Sequence, residues 1–116
     1  MNFIKSKVRY VIINADDLGY CSSINKAIVD AFNQGLISSA TLMPNGEAFE
    51  EACKLVVENG LKDKIGLHIT LTEGYPLTNN IKRCSRFCHE DGSFRKWVNK
   101  PWTRLNNFEK EAIFFE

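Results

Sequence analysis

Two adjacent carboxylates and one histidine are the residues whose types could do chemistry together in this sequence. Asp16 and Asp17 follow one short apolar run, and His68 lies near the end of another. Carboxylates and imidazoles bind divalent metal ions, and a carboxylate can also act as a general base. Neighbouring carboxylates repel each other unless a cation or a hydrogen-bond network offsets their charge. The alternative is a solvated turn in which one aspartate caps the next helix.

His68 is open to two interpretations of the same kind. A lone histidine on a strand is most often an ordinary core or surface residue. Here it lies between Leu67 and Ile69, close to the carboxyl end of the predicted strand, which is where parallel α/β proteins bind ligands. Two ligand types are too few for a complete metal site. Residue types alone therefore leave both interpretations open.

The elements that must position these residues follow a βαβαβ order. Strands are predicted at residues 9–14, 38–43 and 65–71, and helices at about 22–34 and 47–59. Ser22 or Ser23 is expected to cap the first helix, and Gly35 and Gly60 to follow the two helices. The first apolar run is typical of a strand covered on both faces, and it is followed by the aspartates in a turn. The predicted fold class is α/β, with parallel strands at the start of a (β/α) barrel.

Apolar residues at helical spacing define the expected buried faces. These are Ile24, Ala27, Ile28, Ala31 and Phe32 in the first helix, and Ala48, Ala52, Leu55 and Val56 in the second. From about residue 75 the periodicity fades, and residues 75–104 are predicted to be loop-rich. Asn106 or Asn107 is expected to cap a last helix, with Phe108, Ala112, Ile113 and Phe115 on its apolar face.

Composition and charge exclude several classes of protein. The 116 residues are 44% hydrophobic and 25% charged, with a formal net charge of +1, as in an ordinary globular domain. No apolar run approaches the roughly 18 residues that span a bilayer, so no membrane partner is expected. Residues 1–7 lack the apolar segment of a signal peptide. The four cysteines are therefore predicted to be reduced and the protein to be cytoplasmic.

Residues 82–104 concentrate basic and aromatic side chains. Seven Lys or Arg residues are interleaved there with Phe87, Phe94, Trp97 and Trp102. Such aromatics stack on bases or sugars, or belong to a core. Because the basic excess is local and small, no nucleic-acid partner is predicted. A carbohydrate-contacting loop and a plain structural loop remain the alternatives.

The cysteines offer two weaker candidates for a site. Cys84, Cys88 and His89 could form half of a zinc knuckle, although reduced loop thiols are the simpler interpretation. Cys21 follows the aspartates, so it either approaches a metal or packs at the entrance of the first helix.

Five stretches, in order, resemble the YdjC-like carbohydrate deacetylases, which act on chitooligosaccharides. They are VIINADDLGY at 11–20, GLISSAT at 35–41, MPNG at 43–46, IGLHITLTEG at 65–74 followed by PL at 76–77, and DGSF at 91–94. The resemblance extends over residues 8–95. The first and fourth stretches are specific, and they favour the metal interpretation of Asp17 and His68.

The resemblance implies a metal-dependent hydrolase that removes acetyl groups from N-acetylated sugars. Asp17 and His68 match ligands of a divalent metal ion, Mg²⁺ or Zn²⁺, and Asp16 matches the general base. Asn45, Thr72 and Glu73 are weaker candidates for contacts with an acetylated oligosaccharide substrate. The oligomeric state is open, with a homodimer as one alternative.

One departure from the family pattern matters. The remaining metal ligand in the family is a second histidine well downstream, and His89 matches no ligand position. We therefore expect residues 1–116 to form one α/β domain that is the N-terminal half of a larger barrel. Its parts are a βαβαβ core at 8–74, a loop-rich segment at 75–104 and the start of a helix at 105–116. The alternative is a catalytically incomplete fragment or binding module of the same fold.

Overall fold

The computed structural model describes residues 9–96 and 104–116. The elements are β1 Asn14–Leu18, α1 Ser22–Asn33, β2 Ser39–Leu42, α2 Phe49–Glu58, a 3₁₀ helix Lys62–Lys64, β3 Ile65–Leu67, α3 Asn79–Lys82 and α4 Asn107–Phe115. The three strands form a parallel sheet in the order β1-β2-β3. The predicted βαβαβ order and the α/β fold class are therefore confirmed, as the start of a barrel-type sheet.

The first strand lies about four residues later than predicted. Residues 10–13 precede β1 and are exposed, whereas Asp16 and Asp17 lie inside the strand instead of in a turn after it. The amides of Ser38 and Ser39 donate to the carbonyl of Ile13, and the ladder then begins at the Asn14–Ser39 pair. Pairing starts there because the turn after α1 delivers β2 only from Ser39 onward. The expectation of a strand covered on both faces was wrong for this run.

A first apolar cluster lies between the sheet and the helices α1 and α2. Its buried members are Leu18, Ile28, Val29, Phe32, Ala40, Ala52, Val56 and Leu61. The buried face of α1 is rotated by about one position from the prediction, because Asn25 and Val29 are buried while Ala27 is exposed. In α2 the predicted Ala52 and Val56 are buried, and Ala48 lies just before the helix.

The predicted glycines at the C-terminal ends of these helices are confirmed, but the predicted N-cap of α1 is not. Gly35 and Gly60 have φ values of +70° and +64°, the left-handed conformation expected after a helix. The N-cap of α1 is Cys21 and not Ser22 or Ser23, and it makes no side-chain capping hydrogen bond. The predicted β3 is also shorter, so that His68 follows the strand directly.

A second apolar cluster organises the segment that was predicted to be loop. Its buried members are Ile81, Cys84, Phe87, Cys88, Phe94 and Ala112, contributed by α3, the following turn and α4. Asn106 caps α4 in a capping box with Glu109, which confirms one of the two predicted caps. The buried side of α4 carries Glu109 and Ala112, whereas Phe108 and Phe115 are exposed, contrary to the prediction.

Phe87 and Phe94 are core residues of this second cluster, which leaves them unavailable as sugar-stacking surfaces. Trp97 and Trp102 lie outside the described residues, as does the N-terminal segment 1–7. Within the described ranges, no helix is both long and apolar enough to cross a membrane.

Candidate functional site

Polar side chains form one face of the β1–β2 pair, opposite the first apolar cluster. Asn14 and Asp16 alternate along β1, and Ser39 and Thr41 alternate along β2. The parallel register pairs Asn14 with Ser39, and the Ser39 hydroxyl donates to Asn14 Oδ1 over 2.7 Å. Asp16 Oδ1 accepts from Asn14 Nδ2 over 2.8 Å and from Thr41 Oγ1 over 2.7 Å. Asp16 is thus held by neighbours on both strands.

Asp17 breaks the alternation of β1. Its φ of +67° is the left-handed region, and the pairing with β2 shifts register between Ala15 and Leu18. A regular strand would direct Asp16 and Asp17 to opposite faces. The bulge instead lets both aspartates reach the Thr41–His68 pair, so adjacent carboxylates share one site.

The imidazole of His68 lies at the centre of these contacts. Its backbone amide donates to the carbonyl of Leu42 over 2.8 Å, which extends the β2–β3 pairing by one residue. Nδ1 lies 3.3 Å from the Asp17 amide nitrogen, 3.3 Å from Thr41 Oγ1 and 3.6 Å from Asp17 Oδ1. One donor and two acceptors therefore surround Nδ1. A protonated Nδ1 pairs with the Asp17 carboxylate, and an unprotonated Nδ1 accepts from the Asp17 amide.

These residues offer a mixed nitrogen and oxygen donor set for a divalent cation. Ligands bound at about 2.1 Å from one ion lie at most roughly 4.2 Å apart. The 3.6 Å between Asp17 Oδ1 and His68 Nδ1 is within that limit. The Asp17 side chain is 55% exposed and the His68 side chain 26%, so the pair is accessible. Two ligands fit, but the described part of the chain holds no group of three or more His, Cys, Asp or Glu side chains suited to a metal ion.

The weaker candidates lie on the loops that follow β2 and β3. Asn45 Nδ2 donates to the carbonyls of Glu73 and Tyr75, over 2.9 Å and 3.3 Å, and so links the two loops. A cleft of about 230 Å³ opens beside this link, lined by Tyr20, Cys21, Met43, Asn45, Gly46, Glu47, Glu73 and Gly74. Thr72 is exposed on the same loop but does not line this cleft.

The cysteine candidates do not form part of the aspartate and histidine site at the sheet edge. Cys84 and Cys88 are buried, and burial raises the pKa of both thiols, with the charge of Glu109 adding to the effect at Cys84. Their thiols donate to the carbonyls of Asn80 and Ile81, so they are satisfied core residues and not half of a zinc site. Cys21 lines the cleft, and a hydrogen bond from Ser23 holds its pKa below the usual value.

Sequence reasoning missed Asn14 and Thr41, which contact Asp16 or His68, and Ser39, which donates to Asn14. A signal for them existed, because each is a polar residue at alternate positions of a predicted strand. It also missed Asn25, a fully buried polar residue on the apolar face of α1.

The fold and the site together define an α/β protein with aspartate and histidine donors at the carboxyl edge of a parallel sheet. The family model described as YdjC-like protein matches residues 10–113. The chain belongs to this family.

Curated relatives carry one recurring description. A carbohydrate deacetylase of Geobacillus stearothermophilus is 44% identical over 104 residues, which cover 89% of this chain and 40% of that protein. A carbohydrate deacetylase of Clostridium beijerinckii is 40% identical over 87 residues, covering 75% of this chain and 34% of that protein. The chain thus spans well under half the length of these relatives.

A solved structure shares the fold. A protein of Enterococcus faecalis V583, described as a cellobiose-phosphate cleavage protein, superposes with a TM-score of 0.70 at 28% identity. The match covers 90% of this chain and 39% of that one.

Proposed function

We propose that this chain contributes the aspartate and histidine edge of a metal-dependent hydrolase that removes acetyl groups from N-acetylated sugars. The observation that carries the proposal is the connected set of Asp16, Thr41, His68 and Asp17, which contact one another at a single sheet edge. The names of the relatives support a carbohydrate deacetylase. Chitooligosaccharides of the diacetylchitobiose type are the proposed substrates.

Asp17 and His68 are the proposed ligands of a divalent cation, Mg²⁺ or Zn²⁺. Such an ion, when bound, would polarise the acetyl carbonyl and lower the pKa of the bound water below that of bulk water. The Asp17 amide lies 3.3 Å from His68 Nδ1 and so keeps the imidazole beside the residue that supplies the carboxylate. The proximity of the negative Asp16 adds to the attraction for a cation.

Asp16 is the proposed general base. The hydrogen bonds found for it among the described residues all use Oδ1, from Asn14 and Thr41. They fix the carboxylate plane and leave Oδ2 to take a proton from the attacking water. Thr41 therefore orients the base on one side and touches the imidazole on the other, so it links the proposed base to a proposed ligand.

The substrate is proposed to lie over the loops after β2 and β3. Asn45 and Glu73 line the cleft there, and Thr72 adjoins it. Tyr20, 41% exposed on the rim, offers an aromatic face of the kind on which sugar rings stack. We further propose that residues 1–116 act as one α/β unit of a larger cytoplasmic enzyme, with a homodimer as one form it could take.

Metal binding by the chain tests the ligand assignment. Calorimetric titration with Zn²⁺ and with Mg²⁺ is expected to show binding that is lost in Asp17→Asn and His68→Gln. His89→Gln is the matched control, because His89 is exposed on the turn that precedes Phe94 and contacts none of the four site residues. Equal affinity in His68→Gln and His89→Gln would overturn the assignment.

Acetate release tests the chemistry. Diacetylchitobiose with the metal-loaded enzyme that contains this chain is expected to release acetate, and Asp16→Asn is expected to abolish release while metal affinity stays within a few fold. Asp30→Asn, at an exposed position of α1, is the control. A release rate in Asp16→Asn equal to that of the control would contradict the role as base.

A binding module of the same fold is the second candidate function. The observation that favours it is the two-donor set, to which no further His, Cys, Asp or Glu ligand is added within the described ranges. Retained metal and sugar binding with no acetate release would support the module and overturn hydrolysis by this chain.

A further inference from the structure

Asn25 is the most deeply buried polar side chain in the described part of the chain, with no exposed surface. It is the fourth residue of α1, and its amide joins three separate segments. Oδ1 accepts from the Gly19 amide over 2.7 Å, while Nδ2 donates to the Ala48 carbonyl over 3.1 Å and to Glu51 Oε2 over 2.9 Å. Both Nδ2 protons and one Oδ1 lone pair are therefore used, as a buried amide requires.

The turn that Asn25 holds is in direct backbone contact with the start of α2. The Gly19 carbonyl accepts from the Ala48 amide over 2.9 Å, and a Cβ on Gly46 would lie 2.1 Å from the Gly19 oxygen. Gly19 itself has a φ of +96°, which favours glycine. The β1–α1 turn is thus pressed against the β2–α2 loop on one side and bonded to Asn25 on the other.

Asp17 lies two residues before this anchored glycine. Its left-handed backbone is a conformation that persists in a non-glycine residue only where the surroundings over-determine it. The Asp17 carbonyl accepts from the Tyr20 amide over 3.1 Å, which closes the turn, and the Leu18 carbonyl accepts from the Met43 amide over 2.7 Å. The contacts that fix the turn therefore converge on the segment that Asn25 secures.

We propose that Asn25 is a positioning residue that holds Asp17 against His68 by anchoring the β1–α1 turn through the Gly19 amide. The proposal rests on the proposed function only in taking Asp17 and His68 as the metal ligands. Asn25 contacts neither of them directly. Its effect on the site is transmitted along the two peptide units between Gly19 and Asp17.

The Glu51 carboxylate accepts a further hydrogen bond from the Asn25 side chain. Hydrogen bonds from Ser22 and then Asn25 hold the pKa of the Glu51 carboxyl below its usual value, so the acceptor for Nδ2 stays ionised at neutral pH. A charged acceptor strengthens the hydrogen bond from Asn25. Removing Glu51 is therefore a milder way to loosen Asn25 than removing the amide itself.

Nuclear magnetic resonance of the full chain, with and without Zn²⁺, separates positioning from stability. In Asn25→Ala the folded molecules are expected to show displaced signals for the Asp17 amide and the His68 ring, and a Zn²⁺ dissociation constant raised about tenfold, as for other residues that orient metal ligands. Val56→Ala is the matched control, since Val56 is buried in the same apolar cluster but contacts α1 and the sheet only through packing. The control is expected to lose stability while both signals and the dissociation constant remain within twofold of the parent.

The proposal is overturned if Asn25→Ala leaves both signals unchanged, or if Val56→Ala displaces them equally. Should Asn25→Ala fail to fold, Glu51→Ala decides in its place, with a smaller displacement of the same two signals expected and no displacement counting against the proposal. A parent chain that binds no Zn²⁺ would defeat the ligand assignment of the proposed function alone. The metal-free signals of Asp17 and His68 would still decide whether Asn25 positions them.

Discussion

The two apolar clusters of this molecule are built in different ways. The first, under the sheet, packs apolar residues of α1 and α2 at helical spacing against apolar residues of the strands. The second, in the segment from α3 to α4, combines two thiols, two phenylalanines, one isoleucine and one alanine from two short helices and the irregular chain between them. An ion pair between Arg86 and Glu109, 3.1 Å apart and mostly buried, lies beside it.

This difference in construction corresponds to a difference in what the two regions contribute to the candidate site. The regular region carries the polar edge with Asp16, Asp17 and His68, because parallel strands bring residues distant in sequence to one end. The irregular region carries none of those side chains, but it holds the loop after β3 in place through the Phe94 amide, which donates to the Gly74 carbonyl. The first region thus presents the candidate site and the second supports its rim.

Truncation of the largest buried side chain of the second cluster is expected to have the largest effect on stability. Phe87 has no exposed surface, and Phe87→Ala is expected to cost about 3–5 kcal/mol of unfolding free energy. Hydrogen exchange should show protection lost first in α4, with α1 and α2 retained. Phe32→Ala, in the first cluster, should show the reverse order. Loss of protection in all helices at once would show that the two regions unfold as one unit.

Loss of the Arg86 side chain is expected to have the next largest effect. Arg86→Ala leaves the Glu109 carboxylate buried without its cation, which costs about 3 kcal/mol. The double variant Arg86→Ala/Glu109→Gln should recover part of this loss, because the buried charge without a partner is then removed. Chemical denaturation measures the unfolding free energy of each variant. The contrasting cation is Lys64, which lies 5.7 Å from the Phe32 ring centroid on the exposed side of the first cluster. Lys64→Ala is expected to cost under about 1 kcal/mol, so equal costs would contradict the contrast.

The regular region could be predicted from the sequence to a greater extent than the irregular region. The helices of the first region, and the gathering of Asp16, Asp17 and His68 at one edge, follow from local periodicity and parallel order. Only α4 of the second cluster could be predicted in this way, since the pieces before it lack a period and acquire order from contacts between α3, the turn at Cys88 and α4.

Two features of the site also lay beyond the sequence pattern. The left-handed φ of Asp17 depends on contacts with His68 and with the turn at Gly19, and no local signal distinguishes this aspartate from its neighbour. The position of β1 depends on where β2 begins to pair, which moved both aspartates from the predicted turn into the strand. Tertiary contacts decided both features.

The thiols of the two regions are expected to differ in reactivity. A lowered pKa leaves more thiolate at a given pH, and a raised pKa leaves less. Cys21 should therefore react with iodoacetamide faster than Cys84 and Cys88, by at least about tenfold at pH 7.5, since burial also shields the latter pair. Mass spectrometry of time points gives the rates.

Ser23→Ala tests the cause of the Cys21 reactivity. Without the hydrogen bond from Ser23 the pKa of Cys21 should rise, so the pH midpoint of its alkylation should move upward. Cys53, on α2, serves as the internal control within the same sample. A midpoint that moves equally at Cys53, or moves at neither thiol, would contradict the assignment.

Helix capping is expected to have the smallest effect on stability, and it compares the N-cap of α4 in the irregular region with that of α1 in the regular region. In the irregular region, Asn106 accepts from the Glu109 amide and Glu109 returns a bond to the Asn106 amide, so Asn106→Ala should cost about 1 kcal/mol. Asn107→Ala is the control, because Asn107 begins the helix without capping it. In the regular region Cys21 has the extended backbone of an N-cap but makes no capping bond, so Cys21→Asn should raise the melting temperature. If Cys21→Asn lowered the melting temperature, the packing of Cys21 beside the aspartate turn would contribute more to stability than a side-chain cap on α1.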